Sequence, residues 1–301
     1  MKLYSLVVFH LIPFQLLASF NIPLEKNKTK NNIFSNIKRM NNGFDLTILP
    51  IKEDGTEKKL KKAIHPNLPN IATGQLGILI APVKCGKSTI ISNLLLNPNL
   101  YKDQFDIVYI ISNTIHNDRT SRFLKKSFPD TIFSEYKDSI IDNIVKYQES
   151  FAKDKQPFIA LILDDFLGIK KGASIYNFIT RFRHYNVGLV LMASQLFRGL
   201  PSVARQNATF AILGGPNPNE KEVNKIAEEY GDIYGGQDNF KALYRYTTSQ
   251  PYNFMYCPLQ SNPSEAYKNF TELIYKGKNI INVSKYKTED DEETDEEVFE
   301  S

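Results

Sequence analysis

A small residue, four unconstrained positions and then Gly-Lys-Ser run from Ala81 through Pro82, Val83, Lys84, Cys85, Gly86 and Lys87 to Ser88, with Thr89 behind them. This is the P-loop pattern, in which successive backbone N–H groups and the positive start of a helix surround the α- and β-phosphates of a nucleoside triphosphate such as ATP. Ala81 stands where glycine is usual. Gly86 lets the backbone approach closely, and Lys87 is expected to reach the β- and γ-phosphates. The Ser88 hydroxyl is a natural ligand for Mg²⁺, which prefers oxygen donors and keeps several waters. Residues 81–89 are therefore the candidate nucleotide-binding segment.

A second chemical feature lies downstream, where the apolar run from Pro157 to Leu163 ends in Asp164-Asp165. A strand buried on both faces that empties into carboxylates brings them to the sheet edge where phosphates sit. Asp164 is assigned to Mg²⁺, and Asp165 to polarising or orienting an attacking water. A third apolar run, Val187 to Ser194, ends at Gln195, whose amide either senses the γ-phosphate and orients water or caps the next turn. Arginines crowd this region: Arg181 and Arg183, with His184, precede the run, and Arg198 and Arg205 follow it. One of them suits the role of an arginine finger acting on a neighbouring subunit; the alternative for each is a surface or DNA-contacting charge.

Elements able to position these groups are legible around them. Leu76 to Ile80 reads as a strand entering the loop, and the apolar spacing from Thr89 to Leu96 reads as a helix stopped at Asn97-Pro98. Phe105 to Ser112 reads as a buried strand, Ser139 to Lys153 as a helix, and Glu220 to Tyr230 as another helix. The aromatic stretch from Tyr244 to Tyr256 reads as further strands, its tyrosines as core or sheet residues, with stacking on bases as the alternative. Strands alternating with helices predict an α/β fold with a mostly parallel central sheet flanked by helices.

Composition bounds the partners. Two cysteines, Cys85 and Cys257, provide no disulfide framework and fit a reducing compartment. Cys85 either fills a free loop position or carries a thiol activated by the helix start, through which a thiol reagent would block nucleotide binding. Nine of the 33 acidic residues lie between Glu289 and Ser301, so the remainder sets 37 Lys and Arg against 24 acids, a surplus of 13. Residues 286–301 are read as a disordered acidic tail, and the basic body suits a polyanion, double-stranded DNA being the obvious one. Lys170-Lys171-Gly172 and Arg119 to Lys126 are basic enough to touch it, although a solvated face explains them equally well.

Leu3 to Phe20 is apolar behind Lys2 and looks like a signal peptide or short anchor, but His10 and Pro13 interrupt it. ATP and Mg²⁺ are found inside cells, which argues against export. Residues 1–39 are read as a hydrophobic leader and low-complexity arm, or as an extension upstream of a start at Met40, and residues 40–285 as the nucleotide-binding domain. Membrane tethering is the alternative.

The phosphate loop, Asp164-Asp165, Arg183-His184, Gln195 and the segment Leu200-Pro201-Ser202-Val203-Ala204-Arg205-Gln206-Asn207 together resemble the viral genome-packaging ATPases of the FtsK/HerA superfamily, over about residues 70 to 215. The resemblance implies a RecA-like P-loop NTPase core. It also implies a homo-oligomeric ring with ATP between subunits, translocation of double-stranded DNA into a preformed capsid or portal vertex, and residence in the virion or in a viral factory of the host cytoplasm. By the same resemblance Gln195 is the polar sensor and Arg205 the trans finger. Another P-loop enzyme, such as a helicase or kinase, and a non-hydrolysing nucleotide-binding assembly protein remain the alternatives.

Overall fold

Strands that are buried on both faces read as near-continuous apolar runs, and those of this chain do until their polar last residues. In the computed structural model, which describes residues 60–115, 121–166 and 172–280, β4 (Ile159–Asp164) and β5 (Val187–Ser194) are buried along their whole length. Beside them lie β1 (Gln75–Ile80), β2 (Ile107–Ser112), β3 (Ile132–Phe133) and β6 (Phe210–Gly214). These six strands form the parallel part of the sheet, in the order β3-β2-β4-β5-β1-β6. Four antiparallel strands continue it past β6: β7 (Phe254–Pro258), β8 (Glu265–Lys268), β9 (Glu272–Lys276) and β10 (Asn279–Ile280). Among the described residues the whole is a single, mostly parallel ten-stranded sheet in an α/β fold.

Side chains alternate across the sheet, so each strand feeds two cores. On one face Leu79, Ala160, Ile162, Leu189 and Leu191 pack with Ile90, Ile91, Leu94 and Leu95 of α1 (Lys87–Leu96) and Leu124 of α2 (Arg122–Ser127). On the other, Leu76, Ile78, Leu161, Val190 and Met192 meet five helices: α3 (Asp138–Glu149), α4 (Ser174–Arg181), α5 (Ser202–Asn207), α6 (Glu220–Tyr230) and α7 (Gln237–Thr247). The sheet is therefore covered on both sides, as parallel strands require.

The expected strands and helices up to Tyr230 are present with shifts of a few residues at their ends, and α6 has the expected limits. One expectation is corrected. The stretch Tyr244 to Tyr256 is not all strand: Tyr244 and Tyr246 lie on α7, and β7 starts only at Phe254. Phe240, Leu243, Tyr244 and Thr247 are buried at helical spacing, so burial of one helix face outweighs the strand preference of the tyrosines. The chain divides into 1–54 and 55–301, and every described residue belongs to the second unit. The hydrophobic leader, the boundary at residue 40, Arg119, Lys170, Lys171 and the acidic tail lie outside the described residues. Among the described residues no helix is long and apolar enough to cross a membrane.

Candidate nucleotide-binding and hydrolysis site

Neighbouring parallel strands end at one edge of the sheet, and three central ones deliver the site. β5 lies between β1 and β4, so the loop leaving β1 and the acids leaving β4 flank its carboxyl end. The joints are hydrogen-bonded across β5: the Ala81 N–H donates to the Ser194 carbonyl at 3.2 Å, and the Phe166 N–H to the Ala193 carbonyl at 3.1 Å. One strand thus sets the separation between phosphate loop and carboxylates.

The loop itself turns through left-handed backbone at Lys84 (φ 64°) and at Gly86 (φ 90°), and Gly86 is the N-cap of α1. Only glycine adopts the second of these without strain while directing N–H groups inward. The departure at Ala81 is accommodated across the sheet. A Cβ placed on Gly214, at the end of β6, would lie 2.8 Å from the Ala81 methyl, so the absence of a side chain at Gly214 is what makes room for alanine. Val83 is exposed at the loop tip, and Ser88 and Thr89 face partly or wholly into solvent at the start of the helix.

Lys87 is held back over the loop by its ammonium, which donates to the Ala81 carbonyl at 3.2 Å and lies 3.9 Å from Asp165 Oδ1. That longer separation is an ion pair without a hydrogen bond, and Asp165 Oδ1 is buried with no hydrogen-bond partner. Asp165 Oδ2 accepts from the Thr114 hydroxyl at 2.8 Å. The Asp165 backbone is itself left-handed, φ 52°, which costs about 1–3 kcal/mol for a non-glycine residue and is typical of functional positions. An oriented carboxylate with one satisfied and one unsatisfied oxygen, beside a lysine, fits a water or a phosphate-borne group better than it fits a structural ion pair.

Asp164 is buried and differs from its neighbour in kind. Its Oδ2 accepts from the Ser112 hydroxyl at 3.1 Å and its Oδ1 from the Asp165 N–H at 3.0 Å. Burial, and then the charge of Asp165, push its pKa up to about 6, against the opposing pull of Ser112 and of Lys87. A cation would relieve both of the raising influences. The oxygen-only donors here, the Ser88 hydroxyl and the Asp164 carboxylate, suit Mg²⁺ carried on phosphates and offer nothing to a softer metal.

Gln195 follows β5 directly and is half-buried. The turn around it is closed by Ser194, whose hydroxyl donates to the Leu196 carbonyl at 3.0 Å and accepts from the Leu196 N–H at 3.2 Å, so closing that turn falls to Ser194. Gln195 thus follows the strand that lies between those carrying the phosphate loop and the acids. Arg205 is not gathered with these groups. Its guanidinium pairs with Glu229 and lies 4.8 Å over the Phe197 ring, while Nε is buried without a partner. Its helix leads into the amino end of β6, where the Thr209 N–H bonds the Leu76 carbonyl near the start of β1, remote from the phosphate loop of the same chain. Arg183 is also at that far end, donating to the Gly74 carbonyl at 3.1 Å. Arg181 and Arg198 are exposed.

Sequence reasoning missed Ser112 and Thr114. Ser112 is the last residue of β2 and pairs in register with Asp164, the last of β4, so the contact exists only once the two strands are neighbours. A polar residue closing an apolar run was the available signal.

No protein-family model matches the sequence, and no curated protein matches it. Among solved structures the chain is similar to the genome packaging NTPase B204 from Sulfolobus turreted icosahedral virus 2 in complex with AMP, at 18% identity and a TM-score of 0.44, over 65% of this chain and 96% of that one. It is similar to B204, the DNA-packaging ATPase from Sulfolobus turreted icosahedral virus, at 16% identity and a TM-score of 0.46, with the same coverage. It is also similar to EssC (ATPases 2 and 3) from Geobacillus thermodenitrificans, at 17% identity and a TM-score of 0.40, over 52% of this chain and 34% of that one.

Proposed function

We propose that the protein hydrolyses ATP with Mg²⁺ and, as a homo-oligomeric ring, uses the cycle to drive double-stranded viral DNA into a capsid. The observation that carries the hydrolytic reading is Asp165: a carboxylate in left-handed backbone, one oxygen fixed by Thr114 and the other buried without a hydrogen bond 3.9 Å from Lys87. The translocation part rests on the residue pattern from the phosphate loop to Asn207 and on the basic body of the chain.

In this reading the loop N–H groups and Lys87 take the triphosphate, and Lys87 neutralises charge that grows on the γ-phosphate oxygens as the bond breaks. Ser88 and Asp164 would hold Mg²⁺, which would supply further neutralisation of the phosphate charge. Asp165 accepts a hydrogen bond from the attacking water and aligns it; the water oxygen bonds to the γ-phosphorus as the bond to the β–γ bridging oxygen breaks. The proton leaves with inorganic phosphate or to solvent. Gln195 orients the same water, and Arg205 of one subunit serves the site of the next.

Phosphate release from Mg-ATP by the full chain, with and without duplex DNA and beside Lys87→Ala, tests the proposal. Turnover is expected to rise with DNA of any sequence, to lose that stimulation as salt rises from about 50 to about 200 mM, and to fall on the order of 10²–10³-fold in Lys87→Ala. Turnover indifferent to DNA would point to another P-loop enzyme, and ATP binding without turnover to a nucleotide-binding assembly protein.

A further inference from the structure

The phosphate loop has two neighbours from the far half of the chain. On one side the Cys85 sulfur lies 4.0 Å from the Pro216 carbonyl, and the Gly215–Asn217 segment is held there by the Tyr244 hydroxyl, which donates to the Gly214 carbonyl at 3.0 Å. On the other, the loop between α7 and β7 brings the Tyr252 ring to 3.5 Å from where a Cβ would stand on Gly86. A separate cavity of about 190 Å³ lies behind Pro216 and Asn217, against Glu220 and Val223 of α6 and Tyr244 and Arg245 of α7, and Tyr252 does not line it.

Tyr252 is 70% exposed. An exposed apolar group alone needs no explanation. This one also has a φ of 67°, which bulky residues avoid, and its loop is pinned at both ends. The Thr248 hydroxyl bonds the Tyr244 carbonyl at 2.7 Å, and on the other side the Asn269 amide bonds Asn253 Oδ1 at 3.2 Å. The ring therefore lies beside the phosphate loop with its surface uncovered.

We propose that Tyr252 is the platform on which the base of the bound nucleoside triphosphate stacks. The inference rests on the phosphate-site reading above and adds the base subsite to it. Every base has a π face, so the platform recognises a nucleobase without selecting one.

Equilibrium binding of Mg-ATP, Mg-GTP and inorganic tripolyphosphate to the full chain, to Tyr252→Phe and to Tyr252→Ala tests it. Tyr252→Ala is expected to weaken ATP and GTP about tenfold or more while leaving tripolyphosphate unchanged, and Tyr252→Phe to bind all three like the parent. Unchanged ATP binding in Tyr252→Ala overturns the proposal, including the case in which that variant loses only DNA binding. Equal weakening of ATP and tripolyphosphate also overturns it, because the tyrosine then merely supports the loop. If Lys87→Ala leaves tripolyphosphate binding unchanged, the phosphate-site reading itself fails; if Lys87→Ala weakens it and Tyr252→Ala does not affect ATP, only the base platform fails.

Discussion

Two charged clusters in this molecule are built from similar groups and differ in what they leave open. At the carboxyl ends of β1 and β4, Lys87, Asp164 and Asp165 are close but underpaired: the ammonium bonds a backbone carbonyl, one carboxylate oxygen is buried without a hydrogen bond, and the second acid is raised toward neutrality. Between α5 and α6, Arg205 and Glu229 pair directly, with Phe197 beneath the guanidinium and Arg205 Nε left without a partner. Burying charge is costly unless it is paired, so the first arrangement carries the larger electrostatic cost, whereas in the second the two opposite charges meet directly. The contrast separates a cluster whose charges are left underpaired from one whose opposite charges are paired within the chain.

The sharpest way to break this contrast is at Arg205. If Arg205 acts on a neighbouring subunit, Arg205→Ala lowers ring turnover by about 10³-fold or more while ATP binding is retained. Mixing that variant with Lys87→Ala then restores part of the activity, because a Lys87→Ala subunit supplies the missing arginine to a competent loop. Absence of recovery on mixing, measured as phosphate release across mixing ratios, leaves the arginine a structural role. Next in size is Lys87→Ala, expected to reduce turnover on the order of 10²–10³-fold through loss of one preorganised donor, with a matching loss of ATP affinity by calorimetry.

Asp164→Asn sharpens the comparison through stability. Its folded pKa of about 6 lies above the ordinary value of 3.8, so the folded protein binds this proton more tightly than the unfolded chain does. Wild-type stability therefore falls as pH rises from about 4 to about 6 and stays lowered above that. The asparagine variant, which has nothing to titrate there, is expected to be more stable than wild type by about 1–3 kcal/mol at pH 8 and no more stable at pH 4, as read by denaturant unfolding. The smallest effect is expected of Glu229→Gln, which loosens a part-buried pair: about 1 kcal/mol of stability lost, with ATP affinity unchanged.

The phosphate-loop pattern was legible because it is contiguous, running from Ala81 to Thr89. Asp164 and Asp165 were legible because β4 is apolar up to the residue that matters. What the sequence hid is what depends on strand order: Ser112 meets Asp164 across paired strands, and Gly214 makes room for Ala81 from the other side of β1. Helix α7 was hidden for another reason. Its tyrosines favour strands locally, and only burial of Phe240, Leu243 and Tyr244 on one face shows the helical period in control. Arg205 could be singled out from its neighbourhood, but its pairing with Glu229 is tertiary.

Single-turnover hydrolysis at saturating Mg-ATP, comparing wild type with Asp165→Asn and with ATP affinity measured on the same samples, tests the central claim most directly. Asp165→Asn is predicted to bind ATP nearly as well as wild type and to hydrolyse it about 10²–10⁴-fold more slowly, since only the group that aligns the water has changed. An unchanged single-turnover rate, or a loss of affinity that accounts for the whole effect, would contradict it.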